Sequence, residues 1–142
     1  MNRERVSTGT DWESRVGYSR AVRAGAQVHV SGTTATDEHG EVVRADDPYA
    51  QTLHALSNVE RALDATDAAI QDVVRTRLSV TDIDDWGAIG AAHREVFGDV
   101  RPATSMVEVA QLIDSDLLVE VEATAIVEPR ATDGPDGESD AK

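Results

Sequence analysis

The segment DLLVEVEATAIV, residues 116–127, alternates Val119, Val121 and Ala123 with Glu120, Glu122 and Thr124. A period of two residues puts the apolar side chains on one face of a β-strand and the polar ones on the other. A lone strand has nothing to bury its apolar face against. This stretch therefore demands a sheet and a second layer packed on it.

Other segments supply both. Ser19–Ala24 and Gln27–Thr33 read as a hairpin turned at Gly25, the second strand carrying Val28 and Val30 on one side and Gln27, His29 and Ser31 on the other. DEHGEVV holds a turn at His39-Gly40 and a short returning strand. Asp46-Asp47-Pro48 is a helix start, a capping aspartate followed by proline in the first turn. Leu53, Leu56, Val59 and Leu63 continue at helical spacing to about Ala69. Val73–Val80 has the Val, Leu and Thr density of a strand. TDIDDW begins a second helix, N-capped by Asp82 or Asp84, with Trp86, Ile89, Val96 and Phe97 on its apolar face. Strands at Ser105–Ala110 and Leu117–Val127 complete the order β-β-β-α-β-α-β-β. The predicted fold is a single α+β domain with two helices on one face of a mixed sheet. The other face, with residues such as Val107 and Val121, then needs a cover, and a second copy of the chain is the economical one.

The chain has 142 residues, the usual size of one domain. Residues 1–15 read as a polar arm held by Trp12, 16–128 as the domain, and 129–142 as a disordered acidic tail without large apolar side chains. No apolar run approaches the roughly 20 residues needed to span a bilayer, and the polar start has no secretory signal, so a cytoplasmic protein without membrane contacts is expected. The absence of cysteine removes disulfides, thiolate metal sites and Cys nucleophiles. Acidic residues number 27 against 13 basic, for a net charge of −14. Such a surface repels polyanions, which argues against nucleic acid as a partner. Many acids with Lys142 as the sole lysine would also suit a halophilic setting, where salt screens the self-repulsion. His29, His39, His54 and His93 lack metal-ligand spacing, and Ser105 has no histidine nearby in sequence to form a hydrolytic triad.

PATSMVEVA at 102–110, followed by VEVEA at 119–123, resembles the signature of the reactive-intermediate deaminase family, Rid or YjgF. GYS at 17–19, VSGT at 30–33 and VTDIDDW at 80–86 fall in matching order, so the likeness runs from about Gly17 to Val127. The resemblance implies a chorismate-mutase-like fold, a homotrimer with a central β-barrel and helices outside, and ligand clefts between subunits. It implies hydrolysis of enamine and imine intermediates, such as those formed from threonine or serine, to a 2-keto acid and ammonia, with no cofactor and no metal.

The resemblance also assigns residues. Tyr18 would line the cleft, Ser31 and Gly32 would face the ligand, and Glu120 would hold the attacking water and take its proton. Met106, which the resemblance does not single out, reads as an adaptable apolar side chain packing the wall of that cleft as core. Thr104 stands where the archetype has the arginine that pairs with the substrate carboxylate, and Gly90 where many members have asparagine. A neutral hydroxyl cannot replace a guanidinium fork, so a substrate other than the archetypal one is expected. Arg101 is a candidate substitute cation. Read from the alternation alone, Glu120 and Glu122 are both solvated sheet residues, and only the resemblance singles out Glu120. Glu108 reads as a structural residue bonding across the subunit interface. A non-catalytic, ligand-binding or regulatory trimer is the alternative reading, and a ribonuclease or translation inhibitor a third.

Overall fold

The computed structural model describes residues 2–128, so the tail expected at 129–142 lies outside the described residues. In chain order the elements are β1 (Arg3–Val6), α1 (Asp11–Val16), β2 (Ala21–Ala24), β3 (Gln27–Thr33), α2 (Pro48–Ala65), β4 (Val73–Val80), α3 (Trp86–Phe97), β5 (Ala103–Glu108) and β6 (Val119–Ile126). The six strands form one sheet in the order β1-β2-β3-β6-β4-β5. Only β4 and β5 run parallel, in register from Arg75↔Ala103 to Val80↔Glu108, with α3 as their crossover. The predicted α+β class and mixed sheet hold.

The two long helices cover one face. Leu56, Val59 and Leu63 of α2, with Ile89 and Phe97 of α3, pack on Val28, Val30, Leu78, Val80, Val119 and Val121, all buried. The alternation in β6 does what its period implies: Val119, Val121, Ala123 and Ala125 lie under the helices, while Glu120, Glu122, Thr124 and Ile126 face the opposite side. Val121 is therefore already covered within one chain, contrary to expectation. Asp47 caps α2 by accepting from the Ala50 N–H at 3.0 Å, with Pro48 in the first turn. The helix ends at Ala65, short of Ala69. Asp67 takes a left-handed φ of 60°, and the Ala68 N–H reaches back to the Leu63 carbonyl at 2.9 Å. That six-to-one closure, with Asp67 N–H to Asp64 carbonyl inside it, terminates the helix whatever the apolar spacing beyond it suggests.

Three further expectations are corrected. The returning strand in DEHGEVV is a single bridge, Thr36↔Val42, because the turn is pinned by Asp37 rather than by a ladder. Trp86 does not join the apolar face of α3 but is 65% exposed, since a tight 3-10 turn at Ile83–Asp85, capped by Asp82, precedes the helix and sets its first residue outward. The N-terminal segment is not a bare arm: β1 pairs with β2 from Arg3↔Ala24 to Val6↔Ala21, and α1 follows it. Trp12 is half exposed and does not hold it.

Glu13 does. Its side chain is buried and accepts from the Ser7 hydroxyl at 2.7 Å, the Thr8 hydroxyl at 2.5 Å, the Thr8 N–H at 3.1 Å and the Thr10 hydroxyl at 3.2 Å. Burial pushes the Glu13 carboxyl up, but these bonds together outweigh it and hold the group below its ordinary 4.5. A depressed folded value contributes stability above the unfolded value and loses it as pH falls through the folded one. Protection of the β1 amides against hydrogen exchange should accordingly decline below about pH 4, and Glu13→Gln should remove that pH dependence.

Gln51 of α2 is fully buried and ties the helix to two loops. Its amide nitrogen donates to the carbonyls of Val43 and Arg44, both at 3.3 Å, and of Asp116 at 3.1 Å, while its oxygen accepts from the Leu118 N–H. Gln51→Leu would leave those backbone groups unpaired in the interior. The expected cost is on the order of 3 kcal/mol, read as a lower urea midpoint at unchanged slope.

Candidate functional site

The pairing of β3 with β6 breaks register once. Val30 stands opposite Ala123 and Thr33 opposite Val121, so Ser31 and Gly32 together face the one residue Glu122. This bulge re-aims the strand where Glu120 projects. Gly32 has no side chain, and the Glu120 carboxylate fills the space: a Cβ at Gly32 would meet its Cδ at 2.6 Å and its oxygens at 2.8 and 2.9 Å. Glu120 is partly buried. Burial pushes its carboxyl above the ordinary 4.5, Glu122 two residues on adds to the rise, and Arg20 opposes it. A carboxyl so poised can take and return a proton nearer neutrality than a surface glutamate.

Three more groups gather on this side. The Ser31 hydroxyl donates to the Ser19 carbonyl at 2.7 Å, which leaves its oxygen free to accept. Arg20 Nη2 donates to the Gly32 carbonyl at 2.6 Å. The Arg20 guanidinium carbon sits 5.7 Å from the centroid of the Tyr18 ring. Tyr18 follows directly on Gly17, whose φ of +90° closes α1, and its N–H bonds the Glu13 carbonyl at 3.0 Å. The anchored N-terminal segment thus delivers the tyrosine to the site.

Thr104 and Met106 stand elsewhere. Parallel register pairs Thr104 with Thr76 and Met106 with Leu78, and both partners are buried under the helices. The Thr104 hydroxyl lies 2.7 Å from that of Thr76, which is 2.9 Å from His93 Nε2, and it also donates to the Pro102 carbonyl at 3.1 Å. His93 rests against Phe97 with ring centroids 4.7 Å apart, and burial lowers its pKa. It is thus turned toward the sheet rather than set on the helix surface. Within one chain Thr104 is on the helix side of the sheet and Glu120 on the other. Arg101 is exposed in the turn after α3, its φ of 56° fixed by an N–H bond to the Phe97 carbonyl at 2.8 Å, and it joins neither group. Glu108 bonds within the chain, accepting from the Ile83 N–H at 2.9 Å. Gly90 has open space where a side chain would begin.

Residues 8–127 match the family model described as Endoribonuclease L-PSP. The chain belongs to the YjgF family, also called Rid. Among YjgF relatives, an uncharacterised protein of Streptomyces coelicolor is 41% identical over 85% of this chain and 90% of its own length. The crystal structure of a YjgF/YER057c/UK114 family member from Mycobacterium tuberculosis is 51% identical, with a TM-score of 0.81 over 89% of this chain and all of that one. The Escherichia coli TdcF protein, crystallised with bound serine, is 25% identical with a TM-score of 0.75, over 87% of this chain and 94% of its own.

Arg20 was missed by reading the YjgF signature positions alone. A signal for it exists in the hairpin: Gly25, at φ +63°, and Ala26 form a two-residue turn, Ala24 pairs with Gln27, and counting back puts Arg20 opposite Ser31. The Ser31 N–H indeed bonds the Arg20 carbonyl at 3.0 Å.

Proposed function

We propose that this protein hydrolyses the C=N bond of a small imine, or of the enamine that tautomerises to it, with Glu120 as the acid–base group. The observation carrying this reading is the Glu120 carboxyl, partly buried, shifted toward neutrality and seated in the space left by Gly32. Water adds to the carbon of the protonated imine as the Glu120 carboxylate takes one of its protons, giving a neutral carbinolamine. The protonated Glu120 then gives that proton to nitrogen, the oxygen lone pair closes the C=O bond as the C–N bond breaks, and the hydroxyl proton leaves with ammonia as ammonium, which frees the carbonyl product and restores the carboxylate. Ser31, accepting through its oxygen, and the Tyr18 ring would hold the ligand. No step draws on a cofactor or metal.

In this reading Thr104 and Met106 belong to the same cleft only if a neighbouring chain presents its β5 to this chain's Glu120, because one chain holds them on opposite faces. A homotrimer with its clefts at the chain boundaries supplies that arrangement. Family membership, and serine bound to the related TdcF, support a small-molecule ligand of amino-acid size.

A binding protein without turnover is the second reading, favoured by the Thr104 hydroxyl being engaged by Thr76 and Pro102 and carrying no charge. Ribonuclease activity, suggested by the family's description, is opposed by the net charge of −14. Ammonia release from freshly generated imines, measured with and without the protein, decides between the first two. Saturable binding with release at the buffer rate would leave the binding reading.

A further inference from the structure

Arg20 is held more firmly than a surface arginine. Its backbone N–H bonds the Val6 carbonyl at 2.7 Å and its carbonyl accepts from the Ser31 N–H, so β1 and β3 fix it from both sides. Its guanidinium is fixed again by the Gly32 carbonyl and lies beside the Tyr18 ring. Such preorganisation reduces the side-chain entropy lost when a ligand binds.

The same guanidinium is short of acceptors. It carries five N–H donors, of which one, on Nη2, is engaged among the described residues. Nε is shielded from solvent and has no partner among the described residues, a costly condition for a donor on a cation. Nor does the obvious anion relieve it. Glu120 is close enough for Arg20 to act on its titration, yet no nitrogen–oxygen pair between them comes within 4.0 Å. Cation and carboxyl are each seated independently at Gly32, one on its carbonyl and the other over its Cα, and do not collapse into an ion pair. A cation with spare donors beside a proton-transferring acid offers an anion-binding group and a reaction group at one point.

We propose that Arg20 is the residue of this chain that recognises the carboxylate of a 2-imino acid of the kind the family resemblance implies, a role for which position 104 carries no charge. The inference rests on the site proposed above but not on turnover at that site. A fork of guanidinium N–H groups can take both oxygens of a carboxylate, which orients the neighbouring carbon toward Glu120. The charge that Thr104 lacks is supplied from the other side of the sheet.

Pyruvate and pyruvamide test this, since they share size and keto group and differ in charge. Binding to the full chain is read by calorimetry or ligand-observed NMR. The wild-type protein should prefer pyruvate by roughly tenfold or more, the range of a charge-assisted bond against a neutral one. Arg20→Gln should abolish that preference by weakening pyruvate alone, and Arg20→Lys should restore part of it. Equal weakening of both probes by Arg20→Gln would assign Arg20 a merely structural role and overturn the proposal. So would a wild-type preference near one, a measurement that needs no variant to fold. The two readings fail separately. Charge selectivity without ammonia release would leave Arg20 as proposed and remove the hydrolysis, whereas hydrolysis of carboxylate and carboxamide imines at equal rates in wild type would do the reverse.

Discussion

Glu120→Gln is expected to lower ammonia release by roughly 10² to 10⁴, the range contributed by a positioned acid–base group. The amide fits the same space over Gly32 and can still accept a hydrogen bond, so ligand affinity should change little and the loss should fall on kcat. In the proposed reaction the reacting form of the wild-type group is the carboxylate, and burial together with Glu122 raises its folded pKa above the ordinary 4.5. The rate should therefore drop as pH falls through a value higher than a surface glutamate would give, and the limb should vanish in the variant. Stability moves oppositely. A carboxyl whose folded value is raised contributes stability below its unfolded value and loses it as pH rises through the folded one. Near neutrality the ionised, partly buried Glu120 is a cost, so Glu120→Gln should melt at a higher temperature than wild type while doing less. A variant that kept wild-type turnover would remove Glu120 from the chemistry.

Gly32→Ala should be nearly as damaging to turnover, by about a hundredfold, with little change in Tm. The added methyl would stand 2.6 Å from Glu120 Cδ, well inside contact distance. What must yield is the end of a flexible side chain rather than backbone, and Gly32 does not need a positive φ, so the fold can absorb the change. The carboxylate cannot stay where it is. Circular dichroism melting alongside the ammonia assay separates the two effects, and an active Gly32→Ala protein would show that the seat over Gly32 is not needed.

What could be read beforehand followed from local periodicity. α2 announced itself through Asp47, Pro48 and the spacing of Leu56, Val59 and Leu63, and β6 through alternation, which also put Glu120 on the correct face. Where a feature depends on register between distant segments, the local pattern was silent. β1, with the sequence RERV, has three charged residues in four and gains its place from hydrogen bonds to β2. Thr104 shares a signature with residues expected at one cleft, but parallel pairing with β4, more than 20 positions earlier, decides its face and ties it to Thr76 and His93. Glu13 and Gln51 are polar residues that nothing in composition marks as buried; each is inside because backbone and hydroxyl groups around it complete its bonding. Arg20 lay within reach of the hairpin count and was passed over for lack of a motif.

The sheet order has a consequence for how the protein is made. β6, last of the six in the chain, lies in the middle, between β3 and β4. At a synthesis rate of about 5–20 residues per second, the roughly ninety residues separating β3 from the end of β6 keep the inner edge of β3 bare for some 5–20 s. Two half-sheets thus wait on the ribosome with unpaired rims, a state prone to sticking to its neighbours. The carboxyl proposed to do the chemistry arrives only with the strand that joins them.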